Sequence, residues 1–356
     1  MFVKSIKLTN YKNYQTGQFQ FADKVNAIVG LNGMGKTNLV DAIYYVCMGK
    51  SYFSTSDKLV NHHESNFFRL DAIIDEVNVV VKVQQPKLKE IAINGIAFER
   101  MTEYVGTHPI VVMAPDDIHN LLLLGENRRI FINNTIVQYD QQYLNELLLY
   151  NRLLKQRNAL LKSFLEERRQ NLVLLETITQ QMEKPAAYLA AQRQRFILSL
   201  KPIFQAHFEI ICGGKESADL LYDSDLETLS FGELSKKNLD KDLFTGRTNG
   251  GIHKDDIKMM LDGEKIKDFA SQGQIKSYIL AIKLAQYDLL KLYSGKSPLL
   301  LLDDIFDKLD PTRVDHLLSI VTSKDFGQVF ITDTDTDKVP ALLDGRLVDY
   351  KKIHIL

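Results

Sequence analysis

The chain has 356 residues, 45% of them hydrophobic, with 44 Lys and Arg against 45 Asp and Glu and a net charge of −1. That supplies enough apolar chain for one large domain or two modest ones with real cores, and it excludes a disordered or collagen-like class. The near balance of charge gives no global case for a polyanion partner, so any nucleic-acid surface has to be a local patch.

The N-terminal stretch alternates like a strand, Phe2–Thr9, and lacks the continuous apolar core of a secretory signal. Two further strands, Gln18–Phe21 and Val25–Val29, lead into residues 30–37, which read Gly-Leu-Asn-Gly-Met-Gly-Lys-Thr, the pattern G-x-x-x-x-G-K-[ST]. A helical pattern follows from Lys36 to Cys47. Strand, glycine turn and helix is the context a phosphate cradle requires. The amides of Asn32 to Gly35 would close around β- and γ-phosphates and the helix N-terminus would add partial positive charge; Lys36 supplies a mobile cation and Thr37 offers a hydroxyl to Mg²⁺. A glycine-rich turn without a ligand is the bland alternative, and the flanking strand and helix weigh against it.

Cys47 falls in the apolar helix, far from Cys212, so both read as free thiols of a reducing cytoplasm. Strands at Arg69–Asp75, Val77–Val83, Ile91–Asn94 and Pro109–Met113 complete a mixed α/β start. From Tyr139 glycine and proline become scarce and apolar residues recur at three and four. Leu147, Tyr150, Leu154, Leu161 and Leu165 form one stripe; Leu189, Phe196, Leu200, Ile203 and His207 form another. Two or more long helices are expected, with Pro185 opening the later one. A helix from Tyr139 to Arg169 would reach on the order of 45 Å, enough for an arm or hairpin on a globular head.

The polar region after Gly213-Gly214 gives no clear pattern. It ends in a glycine-rich, charged segment that includes His253-Lys254-Asp255-Asp256, followed by a strand at Ile257–Leu261. Ser271-Gln272-Gly273-Gln274 opens a helix running to Tyr293; alone it is an N-cap that presents amides to an anion. Leu299–Leu302 followed by Asp303 and Asp304 fits a buried parallel strand whose carboxyl end lies beside the phosphate loop. There Asp303 would hold Mg²⁺ through its water shell and Asp304 would polarise an attacking water. Without the loop in the same chain, two aspartates merely end a strand. A helix at Pro311–Val321 and a strand at Gln328–Thr332 follow, and no stretch approaches the length that spans a bilayer.

These pieces in this order resemble an ATP-binding-cassette head, and in detail the RecF family of bacterial recombination and repair proteins, relatives of SMC and Rad50 heads. The resemblance covers essentially the whole chain. It runs through Leu8–Tyr14, the loop continuation Asn38–Tyr44, Ala114–Asp117, Arg128–Ile132, the arm run Tyr150–Lys162, His253–Asp256 and Ser271–Gln274. The chain departs at Asn133, where the family carries aspartate, at Gly251-Ile252-His253-Lys254 for the usual Gly-Pro-His-Arg, and at Asp307-Lys308-Leu309-Asp310 for Ser-Glu-Leu-Asp. A lysine at 254 loses bidentate phosphate geometry.

The resemblance implies an α/β fold, an ABC-type P-loop ATPase head (1–138 and 246–356) with an inserted helical arm (139–245). It implies a cytoplasmic, weak ATPase in which hydrolysis is a switch and two copies join head to tail around ATP and Mg²⁺. ATP would be held in cis by Gly30, Leu31, Asn32, Gly33, Met34, Gly35, Lys36, Thr37 and Asn38, and in trans by Ser271, Gln272, Gly273 and Gln274. Lys12 either approaches the nucleotide or is a solvated strand-end lysine. Thr37 and Asp303 would serve the metal, Asp304 and Lys36 the chemistry; Asp116 and Asp333 stand in switch-loop places. Asp310 lies at the dimer interface or caps the helix that Pro311 opens.

Double-stranded and gapped DNA and RecO- and RecR-type mediators are the implied partners, with no membrane. The basic candidates for DNA are Arg128, Arg129, Arg152, Lys155, Arg157 and Lys162, which on residue type alone are equally a solvated helix face. An SMC- or Rad50-like head with another DNA task is the alternative, although those carry far longer coiled-coil insertions. A transporter ATPase would have a shorter span between loop and signature.

Overall fold

Two kinds of apolar pattern, alternating and continuous, sort the strands of this chain into separate sheets. The computed structural model describes residues 1–355 except 87, 167–169, 215, 307–308, 310 and 324–325, with the backbone alone at 118 and 119. In chain order the elements begin β1 Val3–Tyr11, β2 Tyr14–Gln20, β3 Val25–Val29, α1 Lys36–Met48, β4 Phe67–Ile74, β5 Val77–Gln84, β6 Leu88–Ile93, β7 Ile96–Ala97, α2 Met101–Tyr104 and β8 Ile110–Met113. Next come α3 Pro115–Leu123, α4 Gly125–Ile136, α5 Gln141–Glu166, α6 Leu172–Cys212, β9 Ala218–Asp223, α7 Phe231–Lys237, α8 Leu239–Thr245, β10 Asp256–Leu261, β11 Glu264–Lys265 and α9 Ile266–Phe269. The chain closes with α10 Gln272–Ser294, β12 Leu299–Leu302, α11 Pro311–Val321, β13 Val329–Asp333, α12 Lys338–Asp344 and β14 Tyr350–His354.

These elements form two compact units. The first comprises Met1–Ile118, Ile210–Gly213 and Gln272–Leu356; the second comprises His119–Glu209 and Gly214–Ser271. The second is wider than residues 139–245, because α4 is tied to β10 by Arg128 and Arg129, which bond Asp256 and the Asp255 carbonyl. Among the described residues no helix is long and apolar enough to cross a membrane.

The first unit holds a six-stranded antiparallel sheet, β2-β1-β4-β5-β6-β7, and a five-stranded parallel sheet, β14-β3-β13-β12-β8. β4 buries every second residue, as a sheet with one solvated face does, whereas β3, β8, β12 and β13 are buried at every position. The parallel register sets Leu302 beside Ile331 and Ile331 beside Ala27, so the carboxyl ends of β12, β13 and β3 open side by side. Ligands of open α/β sheets gather at such strand ends.

The second unit is built on α5 and α6. Along α5 the buried positions are Tyr143, Tyr150, Leu153, Arg157, Leu161 and Phe164, so an arginine occupies the middle of the core stripe and Leu165 is exposed. Arg157 reaches Asp242 at 2.8 Å and donates also to Thr179, Thr248 and Ser235. Arg193 of α6 is buried likewise, bonded to Asp255, Tyr143, Asn133 and the Ile252 carbonyl. Asn133 accepts from both Tyr143 and Arg193. The helix expected to start at Pro185 starts at Leu172 and runs through both Pro185 and Pro202. Pro185, Ala186, Leu189 and Ala190 are all buried, and that packing outweighs the missing proline donor.

Candidate functional site

The phosphate-loop sequence adopts the turn its glycines allow. Gly30, Gly33 and Gly35 all have positive φ, at 153°, 82° and 117°. At Gly35 a β-carbon would lie 2.8 Å from Asn13 Nδ2 and Tyr14 Oη, so the close approach of the β1–β2 turn needs glycine as much as the backbone angle does. That turn grips the loop: Asn13 Nδ2 donates to the Met34 carbonyl at 3.0 Å, Tyr14 Oη to the Gly35 carbonyl at 3.1 Å, and Asn38 Nδ2 to Asn13 Oδ1 at 2.7 Å. Residues 31–34 stay exposed while Gly35 and Lys36 are buried. Lys36 Nζ folds back on the Gly30 and Leu31 carbonyls, at 2.6 and 2.9 Å. Amides, a helix N-terminus and a cation therefore converge where an anion would sit.

Across from it, β12 ends in the acidic pair. Thr37 Oγ1 donates to the Asp303 carboxylate, 3.0 and 3.1 Å from its two oxygens, and Thr332 Oγ1, at the end of β13, donates to Asp303 Oδ1 at 2.8 Å. Burial raises the Asp303 pKa, the Thr332 and Thr37 hydrogen bonds oppose the rise, and the neighbouring Asp304 charge adds to it. Asp304 has φ 48°, outside the range an L-residue prefers, and is held there by its amide's bond to Thr332 Oγ1. Among the described residues its buried Oδ1 accepts no hydrogen bond. A buried hydroxyl–carboxylate pair beside an oriented carboxylate is a donor set suited to a hard divalent cation and a polarised water.

The other expected residues fall as follows. Lys12 pairs with buried Asp41 of α1 at 2.6 Å, so it is neither solvated nor free to reach outward in this state. Asp116 is exposed, and its neighbour Asp117 is the buried one, bonded to Lys283, the Ala114 amide and Tyr52. Asp333 ends β13 and accepts the Asp335 amide at 2.8 Å. Ser271 directly precedes α10, whose first turn contains Gln272, Gly273 and Gln274. The Arg313 guanidinium lies 3.3 Å from where a Gly273 β-carbon would stand, with its Nε on Ser277 Oγ at 2.6 Å. Asp310 lies outside the described residues.

Of the basic residues expected at DNA, three are spent internally. Arg157 is fully buried on Asp242, a correction its place on an arm helix did not suggest. Arg128 holds Asp256 with two donors and the Leu121 and Leu122 carbonyls with a third. Arg129 is half-buried and donates to the Asp255 carbonyl. Arg152, Lys155 and Lys162 remain exposed on α5. Asn13, Tyr14 and Thr332 are contributors that residue type did not announce; Asn13 and Tyr14 lay within a quoted motif, and Thr332 only within a strand.

The family model described as the RecF/RecN/SMC N terminal domain matches residues 2–342. The chain is 38% identical to the DNA replication and repair protein RecF of Flavobacterium johnsoniae, covering 100% of both chains, and 36% identical to that of Bacteroides thetaiotaomicron, covering 100% of this chain and 97% of the relative. Among solved structures it is similar to the recombination mediator protein RecF-ATPrS in the RecFOR pathway, with TM-score 0.89, 26% identity and 100% and 96% of the two chains covered. The RecF-ATP structure of that pathway gives TM-score 0.86 at 27% identity over 94% and 92%. An Smc head domain from Pyrococcus furiosus, at 18% identity and TM-score 0.53, shares the fold over 96% and 91%. The fold is that of an ABC-type ATPase head.

Proposed function

The chain belongs to the RecF family of DNA replication and repair proteins, and on that premise we propose that it is an ATP-switched DNA-binding protein of recombinational repair and replication restart. The observation that carries this reading is the meeting of Thr37, at the first turn of α1, with Asp303, at the end of β12, beside the convergent amides and Lys36. ATP is the nucleotide supported by the solved relatives, the RecF-ATP and RecF-ATPrS structures.

In this reading the amides of Asn32 to Gly35 cradle the phosphates, and Lys36 leaves the Gly30 and Leu31 carbonyls for phosphate oxygens. Thr37 and Asp303 would hold Mg²⁺, which when bound offsets phosphate charge. Asp304, whose buried Oδ1 accepts no hydrogen bond among the described residues, orients the attacking water. Ser271, Gln272, Gly273 and Gln274 close on the γ-phosphate of a second copy's nucleotide, and hydrolysis releases the dimer. Gapped duplex DNA and RecO- and RecR-type mediators are the partners this switch would serve. The long insertion before the signature and the full-length RecF relatives favour this over an SMC-like head with another task.

Light scattering with and without ATP and gapped duplex DNA tests the proposal. Wild type is expected to dimerise with ATP; Lys36→Met is expected to lose ATP binding in calorimetry, and Ser271→Arg to keep it while staying monomeric. Monomers of wild type under every condition, with ATP bound, would overturn the dimer switch.

A further inference from the structure

Two buried ion pairs of the first unit lie outside the phosphate loop, and one residue joins them. Lys12 meets Asp41 at 2.6 Å, with Asp41 wholly buried. Asp41 Oδ2 also accepts from Tyr11 Oη at 2.9 Å and Ser51 Oγ at 2.7 Å, and its Oδ1 accepts the Tyr52 amide at 2.7 Å. Lys283 of α10 meets Asp117 Oδ2 at 3.0 Å and the Val112 carbonyl at 2.9 Å, with both charged side chains under a tenth exposed. The Tyr52 hydroxyl donates to Asp117 Oδ1, and Lys283 Nζ lies 5.8 Å from the centre of the Tyr52 ring. Tyr52 therefore donates at its amide to one pair and at its hydroxyl to the other. Burial, with the Asp117 charge behind it, drives the Tyr52 pKa well up, so the hydroxyl remains a donor at physiological pH.

Buried ion pairs often stabilise a fold no more than apolar side chains of equal volume, and one attested use of them is to fix geometry. The parts fixed here form a sequence. Asn13, next to Lys12, bonds the loop at Met34; Asp41 sits on α1, which Lys36 opens; Tyr52 follows α1; Asp117 caps the end of β8 through the Ala114 amide; Lys283 lies on α10, whose first turn is the signature. Directional, charge-assisted bonds in a dry setting tolerate little slack, so displacement at one end is passed on.

We infer that Tyr52 is a positioning residue that relays occupancy of the phosphate loop to the signature helix α10. The inference rests on the ATP-switch reading and adds the route by which a bound nucleotide readies its own subunit to engage a second one. A physical relay needs an element that both ends bias, and α10 is that element.

Tyr52→Phe removes one oxygen and keeps the ring. Three measurements on the full chain with a slowly hydrolysed ATP analogue test it: affinity by calorimetry, hydrogen–deuterium exchange over residues 272–283, and dimerisation by light scattering. Wild type is expected to change its exchange over 272–283 on binding. Tyr52→Phe is expected to bind with unchanged affinity, lose that exchange response and dimerise about tenfold more weakly, the scale of one charge-assisted hydrogen bond. The double variant Asp117→Asn with Lys283→Met removes both charges together, leaves no buried ion unpaired and is expected to lose the same response. Binding by wild type without an exchange change in α10, or a wild-type response in both variants, would overturn the relay alone. No binding by wild type would overturn the ATP reading and the relay with it.

Discussion

Asp304 combines a left-handed backbone with a buried carboxylate oxygen that accepts no hydrogen bond among the described residues, and that combination is informative. A non-glycine residue at φ 48° costs on the order of 1 kcal/mol or more, and an unbonded buried carboxylate oxygen adds desolvation. Asp303 beside it is comfortable by comparison, with two hydroxyl donors. On the proposed reading, Asp304→Asn keeps shape and removes the charge that polarises water. It is expected to bind ATP at least as tightly as wild type, to lower single-turnover hydrolysis by roughly 100-fold or more, the scale of a lost general base, and to accumulate as the ATP-bound dimer. Wild-type hydrolysis in that variant would move the role to another side chain.

At the scale of elements, what was legible in the sequence follows from how local the signal is. β8 and β12 are unbroken apolar runs, β3 and β13 are interrupted only by Asn26 and by the closing Thr332-Asp333, and β3 leads into a glycine turn, so the parallel sheet and the loop could be read without partners. The region after Gly214 could not. β9, α7 and α8 are short, and their places depend on polar partners far away in sequence, such as Asp242 on Arg157 and Tyr222 on Asp255. The same dependence made Arg157 look like a solvated charge, since residue type does not reveal an aspartate 85 positions later.

His253 belongs to this framework: its Nε2 donates to the Thr248 carbonyl and its Nδ1 lies 2.8 Å from Tyr150 Oη, and burial favours the neutral ring, whose Nδ1 then accepts from that hydroxyl. Burial lowers its pKa from 6.5 to about 4. Because the unfolded chain takes up the proton first, the stabilisation is full above pH 6.5 and is lost as pH falls toward 4. From pH 6.5 to 5 the loss is at most about 2 kcal/mol. Urea unfolding should therefore be weaker in denaturant demand at pH 5 than at pH 7, and His253→Gln, which keeps a donor for Thr248, should flatten that difference. Equal pH slopes in the two proteins would place the acid sensitivity elsewhere, with His108, also lowered to about 4 by burial, the next candidate.

For the whole molecule, on the proposed reading that it binds DNA, a net charge of −1 makes affinity a matter of where cations are left over. Internal bonding removes Arg128, Arg129 and Arg157 from that account and leaves Arg152, Lys155 and Lys162 on α5. At about 100° per residue these three fall within about 80° of one another around the helix, while Arg157 faces the core. Among the described residues Lys162 pairs with the exposed Glu166 at 3.8 Å, a contact that an approaching phosphate would displace at little cost. A contiguous cationic stripe contributes affinity through counterion release, independent of base sequence. Replacing all three by alanine should weaken gapped-duplex binding by a similar factor for any sequence and reduce the slope of log affinity against log salt by about 3, with ATP affinity in the absence of DNA unchanged. An unaltered slope would mean that DNA meets another face, and charge reversal along the antiparallel sheet, where Lys7 and Lys82 stand near Arg69, would then be the measurement to make.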